Sequence, residues 1–269
     1  MQALSPTQLT AYLERIGIAE AIPSATLEGV TAIHRAHLLA VPFESLDIHT
    51  GRPISIEPAA IFDKLVMRRR GGFCYENNGL LAVALTAIGV DVALLSARVA
   101  RGDGTFGPPF DHLVLRTEFD GAPYLLDVGF GEGYRAPLRI DGEWHDQAPS
   151  APYRVRHDDG ELIVEHRKRG QTKPDYRIDL EPRRLTEFTA RCAYHQTSPE
   201  SGFTQQWTAS LATTEGRVTV VHSRLVETRN GQRSETPVAT ADDLTGILET
   251  RFGITDVDAA KLMERAPTT

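Results

Sequence analysis

The sequence predicts an α+β protein in which a helical N-terminal part precedes a series of antiparallel strands. Up to about residue 89, apolar residues recur at helical spacing, and Ser5 followed by Pro6 marks a first helix start. From Val90 onward, runs of branched and aromatic residues alternate with short turns such as Asp120-Gly121. Consecutive strands joined by tight turns indicate an antiparallel barrel or sheet rather than a doubly wound parallel sheet.

The individual elements follow from the spacing of the apolar residues. We expect helices over residues 5–16, 26–39, 57–66 and 78–88, and an irregular segment over 41–48, where Pro42 interrupts the pattern. We expect strands over 90–99, 112–117, 123–128, 153–157, 162–166, 176–180, 206–212 and 218–221. A last helix should span 241–252 and end at Gly253.

Composition narrows the class of protein. The chain has 269 residues and a net charge of -7, which argues against a nucleic-acid or anionic-membrane partner. Its start lacks a signal-peptide pattern, and no apolar run approaches membrane-spanning length. With two cysteines there is no disulfide framework, so we expect a cytoplasmic location. Neither cysteine lies in a Cys-x-x-Cys pair, and we expect no metal site.

One stretch has the features of a nucleophilic site. Cys74 follows Gly71-Gly72 and the basic run 68–70, at the apparent start of an apolar helix that begins near Asn78. The unpaired N–H groups and partial positive charge of a helix N-terminus favour a thiolate over a thiol. The glycines leave room beside the sulfur. Cys74 is therefore either a nucleophile or, like many free cysteines, a small buried apolar residue.

A base and an orienting group are available in the predicted sheet. His112 opens a strand directly after a Gly/Pro-rich loop, and Asp127 ends the next strand beside a glycine-rich turn. If the strands pair through Asp120-Gly121, the His112 and Asp127 side chains come close. Together with Cys74 they would form a nucleophile–base–orienter triad. The competing interpretation is a hydrogen-bonded histidine–aspartate pair without a catalytic role.

Three further groups have a simpler explanation. His34 and His37 share a helical face, but the spacing offers no further metal ligand, which favours packing. Cys192 has no glycine turn and no evident base, which favours an inert thiol. The arginines at 68–70 either bind a phosphate or pair with an acid such as Glu44.

The chain carries a series of short motifs: Val-Pro-Phe-Glu-Ser-Leu-Asp at 41–47, Lys-Leu-Val at 64–66 with Arg-Arg-Gly-Gly-Phe-Cys-Tyr-Glu-Asn-Asn at 69–78, Ala-Arg-Val at 97–99, Asp-His-Leu-Val-Leu at 111–115, Leu-Asp-Val-Gly-Phe-Gly at 126–131 and Tyr-His-Gln-Thr-Ser-Pro-Glu-Ser-Gly-Phe at 194–203. Together and in this order, these motifs resemble those of the arylamine N-acetyltransferases along most of the chain.

The resemblance implies a three-part fold with a catalytic core like that of cysteine proteases. A helical bundle at 1–89 would carry the cysteine, a β-barrel at 90–203 the histidine and aspartate, and an α/β lid would span 204–269. It also implies ping-pong transfer of acetyl from acetyl-CoA, as co-substrate rather than bound cofactor, to an arylamine, arylhydrazine or N-arylhydroxylamine.

The resemblance also implies roles for individual residues. Cys74, His112 and Asp127 would be catalytic, and Arg69 would pair with Glu44 to brace the site. The acceptor pocket would be lined by Phe43, Tyr75, Val99, Phe130 and Phe203, whose aromatic faces suit a flat aryl ring.

The chain departs from the family pattern at three positions. Asp111 stands before the histidine, where the family often has threonine, and it would raise the pKa of His112 or alter how CoA is held. Phe73 replaces a frequent tyrosine, and Glu132 replaces a common glycine.

Two alternative functions remain at this point. One is a macrolactam-forming amide synthase on the same scaffold, which would need a wider pocket mouth. The other is a non-catalytic small-molecule-binding module, which would not need the triad. We expect the protein to be a monomer or a homodimer.

Overall fold

A computed structural model of the chain describes residues 3–19 and 21–264. Its α-helices are α1 Pro6–Arg15, α2 Leu27–Ala40, α3 Leu46–Thr50, α4 Pro58–Phe62, α5 Cys74–Ala87, α6 Thr189–Thr197, α7 Gly202–Gln205, α8 Ala241–Phe252 and α9 Ala259–Glu264. Its strands are β1 Phe43–Glu44, β2 Ala93–Val99, β3 His112–Phe119, β4 Ala122–Leu126, β5 Leu138–Arg139, β6 Tyr153–Asp158, β7 Glu161–Lys168, β8 Gln171–Ile178, β9 Thr208–Thr213, β10 Gly216–Val221, β11 Arg224–Arg229 and β12 Gln232–Pro237.

Helix α5 is the centre of the N-terminal bundle. After its polar first turns, the helix is apolar on all sides, and residues 80–85 are almost completely shielded from solvent. A helix with no polar face is stable only when protein surrounds it, and here α1, α2, α4 and β3 pack against it. The predicted helix start near Asn78 is therefore one turn late, because the polar residues 76–78 lie inside the first turns of α5 rather than before it.

The central part is an antiparallel sheet of seven strands in the order β5-β4-β3-β2-β8-β7-β6. Strands β5 and β6 at its two edges approach each other, so the sheet is nearly closed into a barrel. The hairpin of β3 and β4 turns at Asp120-Gly121, where both residues have positive φ, as the sequence predicts. The barrel is filled by its own apolar cluster, which includes Val114, Leu125 and Ile178.

The C-terminal part is a second antiparallel sheet, β1-β9-β10-β11-β12, covered on one face by α8 and α9. Its first strand comes from the N-terminal part, because Phe43 pairs with Ser210 and Glu44 with Ala209. The sequence does not predict this two-residue strand, because the surrounding segment has no regular pattern. It does not predict β11 and β12 either, because their mostly polar side chains give no alternating apolar signal.

This arrangement confirms the predicted α+β class with an N-terminal helical bundle, a central antiparallel barrel and a C-terminal α/β part. The proposed boundaries at 89/90 and 203/204 stay predictions, and residues 1–2 and 265–269 of the outer parts lie outside the described ranges. Within the described residues, no helix is both long and apolar enough to cross a membrane.

The loop after β4 brings the barrel against the first turn of α5. At Gly129 an added Cβ would lie 2.7 Å from Cys74 Cα and 3.0 Å from Asn78 Nδ2. Only a residue without a side chain allows the two backbones to approach so closely. The glycine therefore sets the distance between the barrel and the helix.

We expect Gly129→Ala to lower the free energy of unfolding by about 2 kcal/mol, because the added methyl group displaces packed backbone. Gly133→Ala is the matched control, since its Cβ would meet nothing nearer than Phe130 Cβ at 3.8 Å. Urea unfolding of both variants measures the difference. Equal stability of the two variants would contradict the close approach.

Candidate active site

Cys74 is the first residue of α5, and Phe73 precedes it in extended conformation. Glu76 folds back so that its Oε2 accepts the Phe73 N–H at 3.2 Å, which fixes the start of the helix. In the part of the chain that the structure describes, the N–H groups of Cys74 and Tyr75 have no backbone acceptor. The buried Cys74 side chain therefore lies at a helix N-terminus with free donors nearby.

His112 begins β3 and is buried against both Cys74 and Asp127. Its Nε2 lies 2.8 Å from Asp127 Oδ2, so Nδ1 is the ring nitrogen available to the Cys74 sulfur. Burial by itself lowers the pKa of His112, but the Asp127 carboxylate and hydrogen bonds to Asp127 and Cys74 outweigh it and raise the pKa to about 10. The imidazole is therefore protonated at neutral pH.

The Asp127 carboxylate is held by four hydrogen bonds. Oδ2 accepts from His112 and from the Tyr176 hydroxyl, which lies 2.9 Å away. Oδ1 accepts from Asn78 Nδ2 at 2.8 Å and from the Gly129 N–H at 2.9 Å. Burial opposes ionisation of Asp127, but His112 and the other donors lower its pKa below the usual value. The Asp127 carboxylate therefore holds the ring of His112 in one orientation, and Asn78, Gly129 and Tyr176 hold the carboxylate.

Two of these partners, Asn78 and Tyr176, are not among the site residues predicted from the sequence. Asn78 also donates to the Leu113 carbonyl and accepts the Val128 N–H, so it joins α5 to both strands of the hairpin. Tyr176 reaches Asp127 from β8. A polar residue inside an apolar helix was a signal for Asn78. Nothing in the sequence indicated that β8 pairs with β2, which brings Tyr176 within reach of Asp127.

A buried ion network supports the segment before Cys74. Lys64 Nζ lies 2.8 Å from Glu76 Oε1 and 2.9 Å from Asp47 Oδ2. Arg70 binds Glu44 Oε1 through Nη2 at 2.6 Å and Asp47 Oδ1 at 2.9 Å. Burial disfavours the Lys64 cation, but the carboxylates around it outweigh this effect and raise its pKa. Each cation of the network therefore has two carboxylate partners.

The predicted pairing of Arg69 with Glu44 is wrong. Arg69 has a φ of 54° and an exposed side chain, and this left-handed turn directs the next residue inward. Arg70, which is completely buried, is the partner of Glu44. Arg70 therefore has the bracing role that was predicted for Arg69. At this position of the basic run, the arginine binds a protein carboxylate rather than a phosphate.

Three of the aromatic residues predicted for the acceptor pocket contact one another, the residue before Cys74 or His112. The Phe43 and Phe203 rings are 6.1 Å apart, and Phe203 also meets the Phe73 ring edge-on at 5.7 Å. The Phe130 ring stands edge-on to His112 at 5.2 Å. All three are only partly buried, which leaves part of each ring free for a ligand.

Tyr75 and Val99 occupy different surroundings. Tyr75 is fully buried, and its hydroxyl donates to the Phe110 carbonyl at 2.7 Å. Its ring contacts Phe73. Val99 ends β2 opposite Tyr176 and is half-buried. Tyr75 thus packs behind the aromatic group, and Val99 lies next to the tyrosine that holds the Asp127 carboxylate.

Asp111 does not face His112. Its Oδ1 lies 2.6 Å from Arg191 Nη2 and 3.2 Å from His195 Nε2, and both of these residues are on α6. Arg191 and His195 help to lower the pKa of Asp111 against the effect of its burial. The carboxylate therefore ties the start of β3 to α6.

The remaining candidates, His34, His37 and Cys192, are buried and uncharged. Burial lowers the pKa of His34 to about 4 and of His37 to about 3, so both are neutral. Burial raises the pKa of Cys192 to about 12, so this thiol stays protonated. Among the described residues, no group of three or more His, Cys, Asp or Glu could hold a metal ion.

Comparison with known proteins gives consistent matches over nearly the whole chain. A family model described as N-acetyltransferase matches residues 26–262. An arylamine N-acetyltransferase of Mycolicibacterium smegmatis is 36% identical over 253 residues, which cover 91% of each chain. The solved arylamine N-acetyltransferase of Salmonella typhimurium superposes with a TM-score of 0.91 at 27% identity, covering 98% of this chain and 99% of that one.

A third match was solved with a ligand. The Mycobacterium marinum arylamine N-acetyltransferase in complex with CoA superposes with a TM-score of 0.87 at 31% identity, and the match covers 96% of this chain and 98% of that one.

We expect Glu44→Gln to lower the free energy of unfolding by about 3 kcal/mol, because it leaves the buried Arg70 with an incomplete set of partners. Arg68→Met is the control. It breaks the exposed pair with Asp63 and should cost less than about 1 kcal/mol. Denaturant unfolding at pH 7 compares the two variants. A Glu44→Gln loss no larger than that of Arg68→Met would refute the bracing role.

Proposed function

The chain belongs to the arylamine N-acetyltransferase family of acetyl-CoA-dependent acetyltransferases, and we propose that it works by ping-pong transfer through a Cys74 thioester. The acceptor would be the nitrogen of an arylamine, arylhydrazine or N-arylhydroxylamine. The observation that carries the proposal is His112, bound to Asp127 at 2.8 Å and beside Cys74 at the start of α5. A cytosolic location is part of the proposal and is supported by two free cysteines, both buried.

The first half-reaction forms the acyl-enzyme. The Cys74 thiolate attacks the acetyl carbonyl carbon of acetyl-CoA and forms a tetrahedral intermediate. This collapses when the bond from carbon to the CoA sulfur breaks, and the CoA thiolate leaves with the proton of His112. Cysteine suits this step because its thiolate is both a good nucleophile and, later, a good leaving group. The raised pKa of His112 supplies the proton at neutral pH.

The second half-reaction transfers the acetyl group. The acceptor nitrogen attacks the thioester carbon while neutral His112 takes the proton from that nitrogen. The bond between carbon and Cys74 Sγ then breaks, which releases the amide and restores the thiolate–imidazolium pair. Asp127 keeps the ring in place through both halves, because its four hydrogen bonds leave it little freedom to rotate.

Two features of the site support the proposal: donors for the oxyanion of the tetrahedral intermediate and apolar surfaces for the acceptor. The N–H groups of Cys74 and Tyr75 at the start of α5 are donors for the negative oxygen of the tetrahedral intermediate. The partly exposed rings of Phe43, Phe130 and Phe203 offer apolar faces to an aryl acceptor. In this proposal the acceptor lies between these rings, with its nitrogen directed at the thioester.

Replacement of Cys74 by Ala or Ser should abolish acetyl transfer, because the covalent intermediate cannot form. Intact-protein mass spectrometry after mixing with acetyl-CoA should show one added acetyl group on the wild type and none on either variant. An arylamine added afterwards should remove the group from the wild type. Retained turnover in a folded variant would overturn the mechanism.

His112→Ala should slow alkylation of Cys74 by iodoacetamide about a hundredfold at pH 7, because the imidazolium no longer stabilises the thiolate. His145→Ala is the matched control. It removes a second histidine paired with an aspartate at 2.9 Å, in an exposed position. Peptide mass spectrometry locates the label. An unchanged alkylation rate in His112→Ala would show that the two groups are not coupled.

A further inference from the structure

The turn that leads into β3 is strained, and His112 follows it directly. Phe110 has a φ of 65°, a left-handed conformation that a bulky side chain rarely adopts. Its N–H donates to Ser96 Oγ at 2.7 Å, and its carbonyl accepts the Tyr75 hydroxyl at 2.7 Å. A residue keeps such a conformation only when its surroundings hold it there. The position of His112, two residues later, therefore depends on the contacts that hold this turn.

Asp111 attaches the same turn to α6. Its Oδ1 accepts from Arg191 Nε at 2.9 Å and from Arg191 Nη2 at 2.6 Å, and it lies 3.2 Å from His195 Nε2. Two donors on one planar guanidinium restrict both the distance and the direction of the carboxylate. The side chains of Asp111 and Arg191 are only 14% and 20% exposed, so solvent and salt screen this pair less than a surface pair. The pair therefore fixes the residue directly before His112.

A glycine of the preceding loop packs against the other oxygen of Asp111. A Cβ at Gly107 would lie 2.4 Å from Asp111 Oδ2, so only a residue without a side chain leaves the carboxylate in this place. The Gly107 N–H donates to the Val99 carbonyl at 2.8 Å, which attaches the loop to the end of β2. The Asp111 carboxylate is therefore confined between this loop and α6.

We propose that Asp111 is a positioning residue, which acts through the turn at Phe110 and holds His112 within reach of Cys74. The proposal rests on the function proposed above, because the position of His112 affects the reaction only if Cys74 is its nucleophile. In this role Asp111 determines where the start of β3 lies, whereas Asp127 determines the direction of the His112 ring. The contact of Asp111 with α6 thereby becomes part of the catalytic geometry.

The charge and the position of Asp111 would affect Cys74 in opposite directions. Loss of the carboxylate leaves the Arg191 cation unopposed, and added positive charge favours the Cys74 thiolate. Displacement of His112 has the reverse effect, because the imidazolium then stabilises the thiolate less. The sign of a change in the reactivity of the thiol therefore shows which of the two effects is larger.

The rate at which iodoacetamide alkylates Cys74 at pH 7 tests the proposal, because it reports the thiolate–imidazolium pair without either substrate. We expect Asp111→Ala to slow alkylation about tenfold. Asp111→Asn keeps an acceptor oxygen for Arg191 and should slow it only about twofold. Gly107→Ala keeps every charge but displaces the carboxylate, and it should slow alkylation about fivefold.

Two control variants should be alkylated at the wild-type rate. Glu165→Ala removes another carboxylate that binds two arginines, Arg154 and Arg156, on the strands β6 and β7. Gly102→Ala adds a methyl group in the same loop as Gly107, at a position where nothing lies within 4 Å. Circular dichroism and urea unfolding establish that each variant is folded.

Slower alkylation of folded Asp111→Ala supports the positioning role, and an unchanged rate overturns it. A faster rate overturns it too, because an unopposed Arg191 or a loosened fold that exposes the buried thiol gives that result. If Asp111→Ala does not fold, the rates of Asp111→Asn and Gly107→Ala decide by the same criterion. If Cys74 of the wild type reacts as expected but takes no acetyl group from acetyl-CoA, the proposed function fails while the positioning of His112 stands.

Discussion

The attachment of one carboxylate to three separate parts of the protein holds the site together. Asp127 accepts hydrogen bonds from His112 on β3, Asn78 on α5 and Tyr176 on β8. Burial of a carboxylate destabilises the folded state unless both of its oxygens accept hydrogen bonds. These donors and the elements that carry them must therefore keep their positions. The close contact of Gly129 with α5 and the register of the β3–β4 hairpin both keep these donors in place.

The same interaction explains why three buried histidines have different charges. Burial lowers the pKa of all of them, and His34 and His37 are neutral as a result. His34 lies near Asp127 too, but its Nε2 faces the Asp127 backbone N–H at 3.2 Å, a donor that favours the neutral ring. Of these three histidines, His112 is the one that faces the Asp127 carboxylate oxygens. Contact with a charge, rather than depth of burial, decides which histidine is protonated.

The sequence predicted those parts of the structure that depend on neighbours along the chain. The hairpin turn at Asp120-Gly121 carried enough information to bring His112 and Asp127 together. The roles of Asn78 and Tyr176 required contacts between distant elements, for which no local pattern exists. The choice between Arg69 and Arg70 depended on a single left-handed residue, and the polar strands β11 and β12 left no periodic signal.

Strand β1 pairs with a strand that is far away in the sequence, which affects when the pocket can form during synthesis. Phe43 and Glu44 are synthesised early, yet their hydrogen-bonded partners at 209–210 lie in the last quarter of the chain. Contacts that close such a long loop form late, after the local helices and hairpins. The aromatic walls contributed by Phe43 and Phe203 can therefore meet only when synthesis is nearly complete. A nascent chain would carry α5 with Cys74 while the pocket proposed here for the acceptor is still incomplete.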